Sequence, residues 1–190
     1  MINSKIVIVI FMTVFMSMFA ITGYAGNNND WRCDALQSEY KLSDTQLYNI
    51  HRSYQYAKKD NLGWTLAAMS FRESSGGMAL VNWNDPSAGH HHILAKHVMK
   101  EFGMANTPEN IAIAMEMLSS NFYLSAHFAV RELKWWKKKH KGDFFKTWRS
   151  YNQGYYWLLT DINARKRSFG YATDIGNMIK FMKDNCTKWK

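Results

Sequence analysis

Apolar residues recur at helical spacing through most of the chain from residue 43 onward. Ser43 and Gln46 form a capping-box pattern, which marks the start of a helix. Apolar residues then follow at spacings of three and four: Leu47, Ile50, Tyr54 and Ala57. This pattern predicts an amphipathic helix over about residues 44–59. Residues 64–73 are apolar on nearly every side, which predicts a helix surrounded by other elements.

The stretch from Gly76 to Gly89 interrupts this helical pattern. It contains Gly, Pro and three Asn or Asp residues, which favour turns. We expect a loop or a short hairpin here, and we expect it to form part of a cleft.

Helical patterns return at Thr107, where Pro108 and Glu109 complete a strong start signal. One long apolar stripe follows and ends in the cationic segment 134–141. Its members are Ile111, Met115, Leu118, Phe122, Ala129, Leu133 and Trp136. The stripe predicts a single long helix. Two further patterns predict a short helix that contains Phe144, Trp148 and Tyr151 and a last helix that contains Ala172, Ile175, Ile179 and Met182.

The chain contains no internal repeat or low-complexity linker between residues 30 and 190. We therefore expect one mostly α domain, with a small loop or hairpin region beside the active-site cleft. The expected divisions are a signal peptide over 1–25, an N-terminal segment over 26–42 and the domain itself over 43–190.

The first 25 residues have the order of a secretory signal. Lys5 precedes an uncharged apolar stretch, and Gly23-Tyr24-Ala25 provides small residues at positions minus three and minus one. Cleavage is expected after Ala25. The alternative is a retained anchor, since about 20 apolar residues can span a bilayer core. We therefore expect a periplasmic or extracellular protein.

The two cysteines, Cys33 and Cys186, are near the two ends of the processed chain. In an oxidising compartment they could form one disulfide, and free buried thiols are the alternative. Closing so long a loop would stabilise the fold by about 5 kcal/mol in the chain-entropy model.

The chain is cationic, with 24 basic and 15 acidic residues and a formal charge of +9. Such a charge favours an anionic partner. For an exported protein this indicates a cell-wall polymer or a membrane surface, and no nucleic acid is expected. The run of lysines and tryptophans at 134–141 is either a solvated helix end or a surface that grips the wall or the membrane.

Glu73 is the most informative candidate for chemistry. It follows the apolar run 64–72 and precedes Ser74-Ser75-Gly76-Gly77, so a buried helix delivers a carboxyl group into a loop. Burial raises the pKa of a carboxyl group and suits it to act as a general acid. A glutamate neutralised by solvent or by a lysine is the alternative interpretation.

Three ordered motifs resemble the lysozyme-like superfamily, specifically the soluble lytic transglycosylase and goose-type lysozyme domains. The segment 71–77 resembles the Glu-Ser signature of these domains, and Tyr151-Asn152-Gln153-Gly154 resembles their Tyr-Asn-x-Gly motif. Between them, Ser87 to Ile93 falls where these families carry a Gly-Leu-Met-Gln-Ile/Leu stretch. Together the matches cover roughly residues 43–184.

The resemblance implies an enzyme that cleaves the β-1,4 bond between N-acetylmuramic acid and N-acetylglucosamine in peptidoglycan, without a cofactor. Glu73 would protonate the leaving oxygen and then act as a base, either forming a 1,6-anhydro end or activating water. The first outcome is lytic transglycosylation and the second is hydrolysis. The implied substrate-binding residues are Ser74, His92, Tyr151, Asn152 and Gly154. A glycan-binding protein without catalysis is the competing class.

The sequence departs from the family pattern at His90-His91-His92, which replaces Leu-Met-Gln and leaves His92 at the Gln position. An imidazole can still hydrogen-bond a sugar. Neither this run nor His97 has convincing ligand spacing for zinc, so no metal is expected. Asp85 is the only other acid between Glu73 and Glu101, which makes it the nearby candidate for a water-activating base; an ordinary turn residue is the alternative.

Overall fold

A computed structural model describes residues 29–190 except Thr160. The expected signal peptide lies outside the described residues. Eight α-helices and three short strands form the described part of the chain, which confirms the mostly α fold class. The helices are α1 (Asp34–Tyr40), α2 (Asp44–Ala57), α3 (Gly63–Ser74), α4 (Ala95–Glu101), α5 (Pro108–Ser120), α6 (Phe122–Lys139), α7 (Phe144–Gln153) and α8 (Ile162–Asn185). Short 3-10 turns cover Asn29–Trp31, Lys58–Asp60, Tyr156–Leu158 and Thr187–Trp189.

Helix α2 begins where the sequence predicts. The Ser43 hydroxyl accepts the Gln46 backbone N–H, and the Gln46 side chain accepts the Ser43 backbone N–H. This reciprocal pair satisfies two of the free donors at the helix start. The cap therefore fixes α2 in the position from which it contacts the loop after α3.

Helix α3 is the central element of the core. Its residues Leu66, Ala67, Ala68 and Met69 are fully buried, and the helix packs between α2 and α8. Such complete burial agrees with the apolar character of its sequence on nearly every side.

The segment between α3 and α4 forms a small three-stranded antiparallel sheet, β1 (Val81–Asn82), β2 (Ser87–Ala88) and β3 (Ile93–Leu94). Val81 pairs with Ala88, and Ala88 pairs in turn with Ile93. The predicted hairpin is thus present between residues 76 and 89, and Ile93–Leu94, directly after the three histidines, supplies a third strand.

The prediction of one long helix after Thr107 is wrong, because the helix is interrupted at Asn121. This residue has an extended backbone (φ −123°, ψ 101°), and its side chain accepts the Leu124 N–H as the N-cap of α6. The apolar stripe continues across the break, so periodicity alone did not reveal it. A side-chain cap competes with helix continuation, which explains the interruption.

A disulfide between Cys33 and Cys186 confirms the predicted bridge, with Cα atoms 5.1 Å apart across 153 residues of sequence. Beside it, Trp189 is fully buried, and its indole N–H donates to the Trp31 carbonyl at 3.1 Å. The bridge joins the N-terminal segment to the end of α8, and it is consistent with an exported protein. Within the described residues, none of the helices has the length and apolar character to span a membrane.

Candidate active site

Glu73 lies in the last turn of α3, where the backbone leaves the helix through three residues with positive φ. These are Ser75 (52°), Gly76 (69°) and Gly77 (99°). The Gly76 N–H donates to the Ser70 carbonyl at 3.0 Å and closes the helix end. Glu73 therefore sits at the negative end of the helix dipole, where a carboxylate is less stable than in water.

The two glycines after Glu73 have no room for a side chain. A Cβ atom on Gly76 would lie 2.7 Å from the Gln46 carbonyl oxygen, and one on Gly77 would lie 2.8 Å from His90 Nε2. Helix α2 also holds this loop through hydrogen bonds from Gln46 Nε2 to the Ser75 carbonyl (2.8 Å) and from Asn49 to the Gly76 carbonyl (3.0 Å). The end of α3 is thus fixed against α2, which gives Glu73 a defined position.

Ser74 is fully buried behind this loop. Its hydroxyl accepts the Gly77 N–H at 3.0 Å and lies 3.0 Å from the His90 carbonyl and 3.1 Å from the Ser70 carbonyl, either of which can take its proton. All these partners belong to the protein. Ser74 therefore supports the loop from the interior. The predicted contact with substrate would need an accessible side chain, which Ser74 does not have.

His92 faces Glu73 across the loop. Its Nδ1 lies 3.6 Å from the Glu73 carboxylate, and its Nε2 lies 2.7 Å from the Ala79 carbonyl. A carbonyl only accepts, so Nε2 carries a proton and neutral His92 presents the Nδ1 lone pair to Glu73. A second proton on the ring would convert this contact into an ion pair.

Burial raises the pKa of Glu73 above its ordinary value, and the negative charge of Glu132 raises it further. The Tyr171 hydroxyl, a charged His92 and Arg72 each act in the opposite direction. The Glu73 side chain still keeps 17% of its surface exposed. The site thus holds a carboxyl group that stays protonated to higher pH than usual and can be reached from solvent.

Two tyrosine hydroxyls lie near this carboxyl group. Tyr151 donates to the His91 carbonyl at 2.9 Å, and the charge of Glu73 helps to raise its pKa. Tyr171 acts on the pKa of Glu73 itself. Its hydroxyl is buried and lies outside standard hydrogen-bond geometry with every described residue, but it lowers the pKa of Glu73. Burial raises the pKa of both tyrosines well above 10, so both keep their protons.

The turn after Tyr151 ends α7. Gly154 has φ 55° and ψ −130°, and its N–H donates to the Ser150 carbonyl at 2.7 Å. Asn152 is partly buried and accepts from the Gln153 side chain at 3.0 Å. These bonds shape the turn, and the predicted contacts of Asn152 and Gly154 with substrate stay predictions.

The three consecutive histidines have three different surroundings. His91 is fully buried between Ser53 Oγ (3.2 Å from Nε2) and Ser125 Oγ (3.1 Å from Nδ1), and burial lowers its pKa well below 6.5. His90 packs edge-on against Phe122, and burial lowers its pKa to about 4. Only His92 is near Glu73. Among the described residues, no group of three or more acidic, His or Cys side chains is arranged to hold a metal ion.

Glu132 on α6 is a second carboxylate whose charge acts on Glu73, and the sequence motifs do not include it. It accepts from the Trp136 indole at 3.2 Å and lies 3.5 Å from His97 Nδ1. Its charge raises the pKa of both Glu73 and Tyr151. Asp85, the acid that the sequence offered as a candidate base or as an ordinary turn residue, is exposed in the turn between β1 and β2.

A surface cavity of about 440 Å³ lies away from Glu73, at the C-terminal end of α6. It is lined by Lys134, Lys137, Lys138, Lys141, Gly142, Asp60 and Leu62. Within the preceding cationic run, Trp136 is buried and Trp135 is 46% exposed. We place the candidate chemistry at Glu73, because among the described acidic residues it alone has a raised pKa and is partly exposed.

Comparison with known proteins gives a similarity to a phage protein. The chain is 28% identical over 173 residues to a protein of Enterobacteria phage T4, described as an uncharacterized 20.7 kDa protein in the vs-regB intergenic region. The similarity covers 80% of this chain and 87% of the phage protein. No family profile and no solved structure matches the chain.

Proposed function

We propose that this protein is a lytic transglycosylase, which cleaves the β-1,4 bond between N-acetylmuramic acid and N-acetylglucosamine in the glycan strands of peptidoglycan. Glu73 is its catalytic acid. The observation that carries the proposal is the surroundings of this side chain: an accessible carboxyl group at the end of a buried helix, with a raised pKa and with His92 beside it. The ordered Glu-Ser and Tyr-Asn-x-Gly motifs support the same assignment.

In the first step, Glu73 gives its proton to the glycosidic oxygen, and the bond from this oxygen to C1 of the muramic acid breaks. The Glu73 carboxylate then takes the proton of the muramic C6 hydroxyl, and the C6 oxygen bonds to C1 of the same sugar. The product is a 1,6-anhydro end, and Glu73 regains its proton. A single carboxyl group is sufficient, because the substrate supplies the nucleophile.

The neighbours of Glu73 suit both halves of this cycle. Burial and the Glu132 charge favour the protonated acid that begins the reaction. The Tyr171 hydroxyl and a protonated His92 favour the carboxylate that forms after proton transfer. A group that acts first as an acid and then as a base needs neighbours that favour each of its two forms, and the raised pKa of Glu73 suits the first step.

The hairpin beside Glu73 offers an exposed apolar surface for sugar rings. Met78 is 71% exposed and Trp83 is 70% exposed, and the Met78 N–H donates to the Ser74 carbonyl at the end of α3. Exposed apolar and aromatic groups are typical of binding surfaces. Trp83 is our candidate for contact with the apolar face of a sugar.

The test is release of muropeptides from purified peptidoglycan. Glu73→Gln removes the proton donor and keeps the size of the side chain, so we expect activity to fall by about 10²- to 10⁴-fold. Glu116→Gln is the matched control, because Glu116 is exposed on α5. Wild-type activity in Glu73→Gln would contradict the assignment. Tight binding to the wall without any release by the native protein would favour a glycan-binding function.

Glu132 makes a hydrolytic muramidase the second candidate, since hydrolases of this type use a second carboxylate to activate water. Mass spectrometry of the products separates the two reactions, because anhydro ends are lighter by one water than reducing ends. Products with reducing ends alone would replace transglycosylation by hydrolysis. In that case Glu132→Gln should reduce turnover with little change in glycan binding.

A further inference from the structure

A second exposed surface follows the Tyr151 to Gly154 turn, and the proposed reaction does not use it. Large apolar side chains point outward here: Tyr156 (67% exposed), Leu158 (49%), Leu159 (55%), Ile162 (64%) and Phe169 (56%). We call these five residues, together with Arg165, Lys166 and Arg167, the apolar-basic patch. Exposed apolar surface of this extent marks a place of interaction on most soluble proteins.

The backbone under the patch is fixed by buried and capped residues. Trp157 is 7% exposed, donates to Ser150 Oγ at 2.8 Å and has the Arg149 guanidinium 3.9 Å above its ring. Asp161 caps α8 by accepting the N–H groups of Asn163 and Ala164 at 2.8 and 3.0 Å. The buried Trp157 and the Asp161 cap therefore fix the backbone that carries the exposed apolar side chains.

The charges of the patch select the kind of partner. Arg165, Lys166 and Arg167 are exposed on the first turns of α8, and Lys146 is exposed on α7, the helix that precedes the patch. Between residues 154 and 173 the only acid is Asp161, which serves as the helix cap. A helix start with Ile, Leu and aromatic groups next to Arg and Lys has the composition of elements that lie in the interface of an anionic membrane.

We propose that the apolar-basic patch binds the surface of a membrane that contains anionic phospholipids. Leu158, Leu159 and Ile162 enter the headgroup region, and Lys166 and Arg167 contact lipid phosphates. Arg167 also donates to the Gln153 side chain at 3.3 Å. Binding would therefore place the Tyr151 turn, and the candidate active site with it, near the membrane. Lipid binding does not depend on the proposed glycan cleavage.

Vesicle flotation of the purified protein, in the form that the cell produces, tests this inference. We expect binding to vesicles of phosphatidylglycerol and phosphatidylcholine to exceed binding to phosphatidylcholine alone by at least about tenfold, and to weaken with added salt. Ile162→Ser combined with Leu159→Ser should reduce binding by about tenfold or more. Lys166→Gln should reduce it about fivefold.

The matched control is Lys183→Gln, which removes an exposed lysine from the other end of the same helix. It should bind as the wild type does. Equal losses in Lys183→Gln and Lys166→Gln would overturn the inference, because net charge alone would then explain binding. Equal binding to the two kinds of vesicle would also overturn it.

Hydrogen exchange provides a second measurement that needs no variant. Anionic vesicles should slow amide exchange in peptides that cover 155–169 and should leave the α2 peptides unchanged. Slower exchange elsewhere, with 155–169 unaffected, would place the lipid contact on another surface and reject the patch. Glu73→Gln should bind vesicles normally, so a failure of the proposed catalysis is separable from a failure of this inference.

Discussion

The side chain of Tyr171 shows how a single hydroxyl group can set the behaviour of the site. The buried Tyr171 hydroxyl lowers the pKa of the Glu73 carboxyl group, against the opposing effect of burial. Tyr171 lies on the buried face of α8, four residues before Ile175. In the sequence it therefore looks like any other core residue, and no motif identified it.

Replacing Tyr171 by Phe should raise the pKa of Glu73, because the carboxylate loses a stabilising hydroxyl. An acid catalyst works while it is protonated, so the alkaline limb of the kcat/KM profile should move to higher pH. The pH dependence of glycan cleavage measures this shift. Tyr48→Phe, at an exposed position on α2, should leave the profile unchanged. A limb that stays in place or moves to lower pH in Tyr171→Phe would contradict the assigned role.

The buried histidines should make the protein less stable in acid. Burial lowers the pKa of His90 to about 4 and holds that of His91 well below 6.5, whereas both have a pKa of about 6.5 when unfolded. As the pH falls below about 6.5, the unfolded chain takes up protons that the folded protein does not. The stability contributed by the neutral rings is thus complete above pH 6.5 and is lost as the pH falls toward 4.

Thermal unfolding between pH 7 and pH 4 measures this loss. Each neutral buried histidine should contribute a slope of up to about 1.4 kcal/mol per pH unit, so His90→Gln should flatten the decline by about that amount. Glu73 acts with the opposite sign, because its pKa is raised on folding; its contribution is present at low pH and is lost as the pH rises. An identical decline in wild type and His90→Gln would reject the role of His90.

At the scale of elements, local signals placed most helices correctly but did not show how the helices meet. The capping box at Ser43 and the Thr107-Pro108 start each mark a helix that the structure contains. The break at Asn121 was missed, because the apolar stripe runs through it. Helices α1 and α4, seven residues each, are too short for a clear periodic pattern.

Asn121→Ala should destabilise the protein, because α6 would lose its side-chain cap. Such losses cost about 1 kcal/mol, which corresponds to a decrease in Tm of about 2–4 °C for a chain of this size. Thermal unfolding measures the effect. Asn121→Asp is the control, because aspartate also accepts the Leu124 N–H and should keep most of the stability. If alanine matched the wild type, the cap would not be the reason for the break.

At the scale of the whole molecule, the sequence predicted the mostly α class and the disulfide, but it named only some of the residues that surround the candidate acid. Glu73 and Tyr151 were found because each belongs to a short motif. Glu132 and Tyr171 come from distant helices, and only tertiary packing brings their charge and hydroxyl to Glu73. Ser74 belongs to a motif, as Glu73 does, but its side chain faces the interior and supports the loop.

The Cys33–Cys186 bond should make a large contribution to stability. Cys33→Ser is expected to lower the free energy of unfolding by about 2–5 kcal/mol, because the unfolded chain regains the freedom of a long loop. Denaturant unfolding with and without reductant measures it. The variant should match the reduced wild type, since both lack the bond. No change in the wild type on reduction would contradict the expected contribution.

The position of Cys186 also sets a time order for the maturation of this protein. The bond cannot close until Cys186, 153 residues after Cys33, has been synthesised and the two thiols have met an oxidant. Every earlier intermediate must therefore keep its shape by packing alone. A chain that stays in a reducing compartment would lack this crosslink. The resistance of the protein to unfolding would therefore indicate whether it has reached an oxidising compartment.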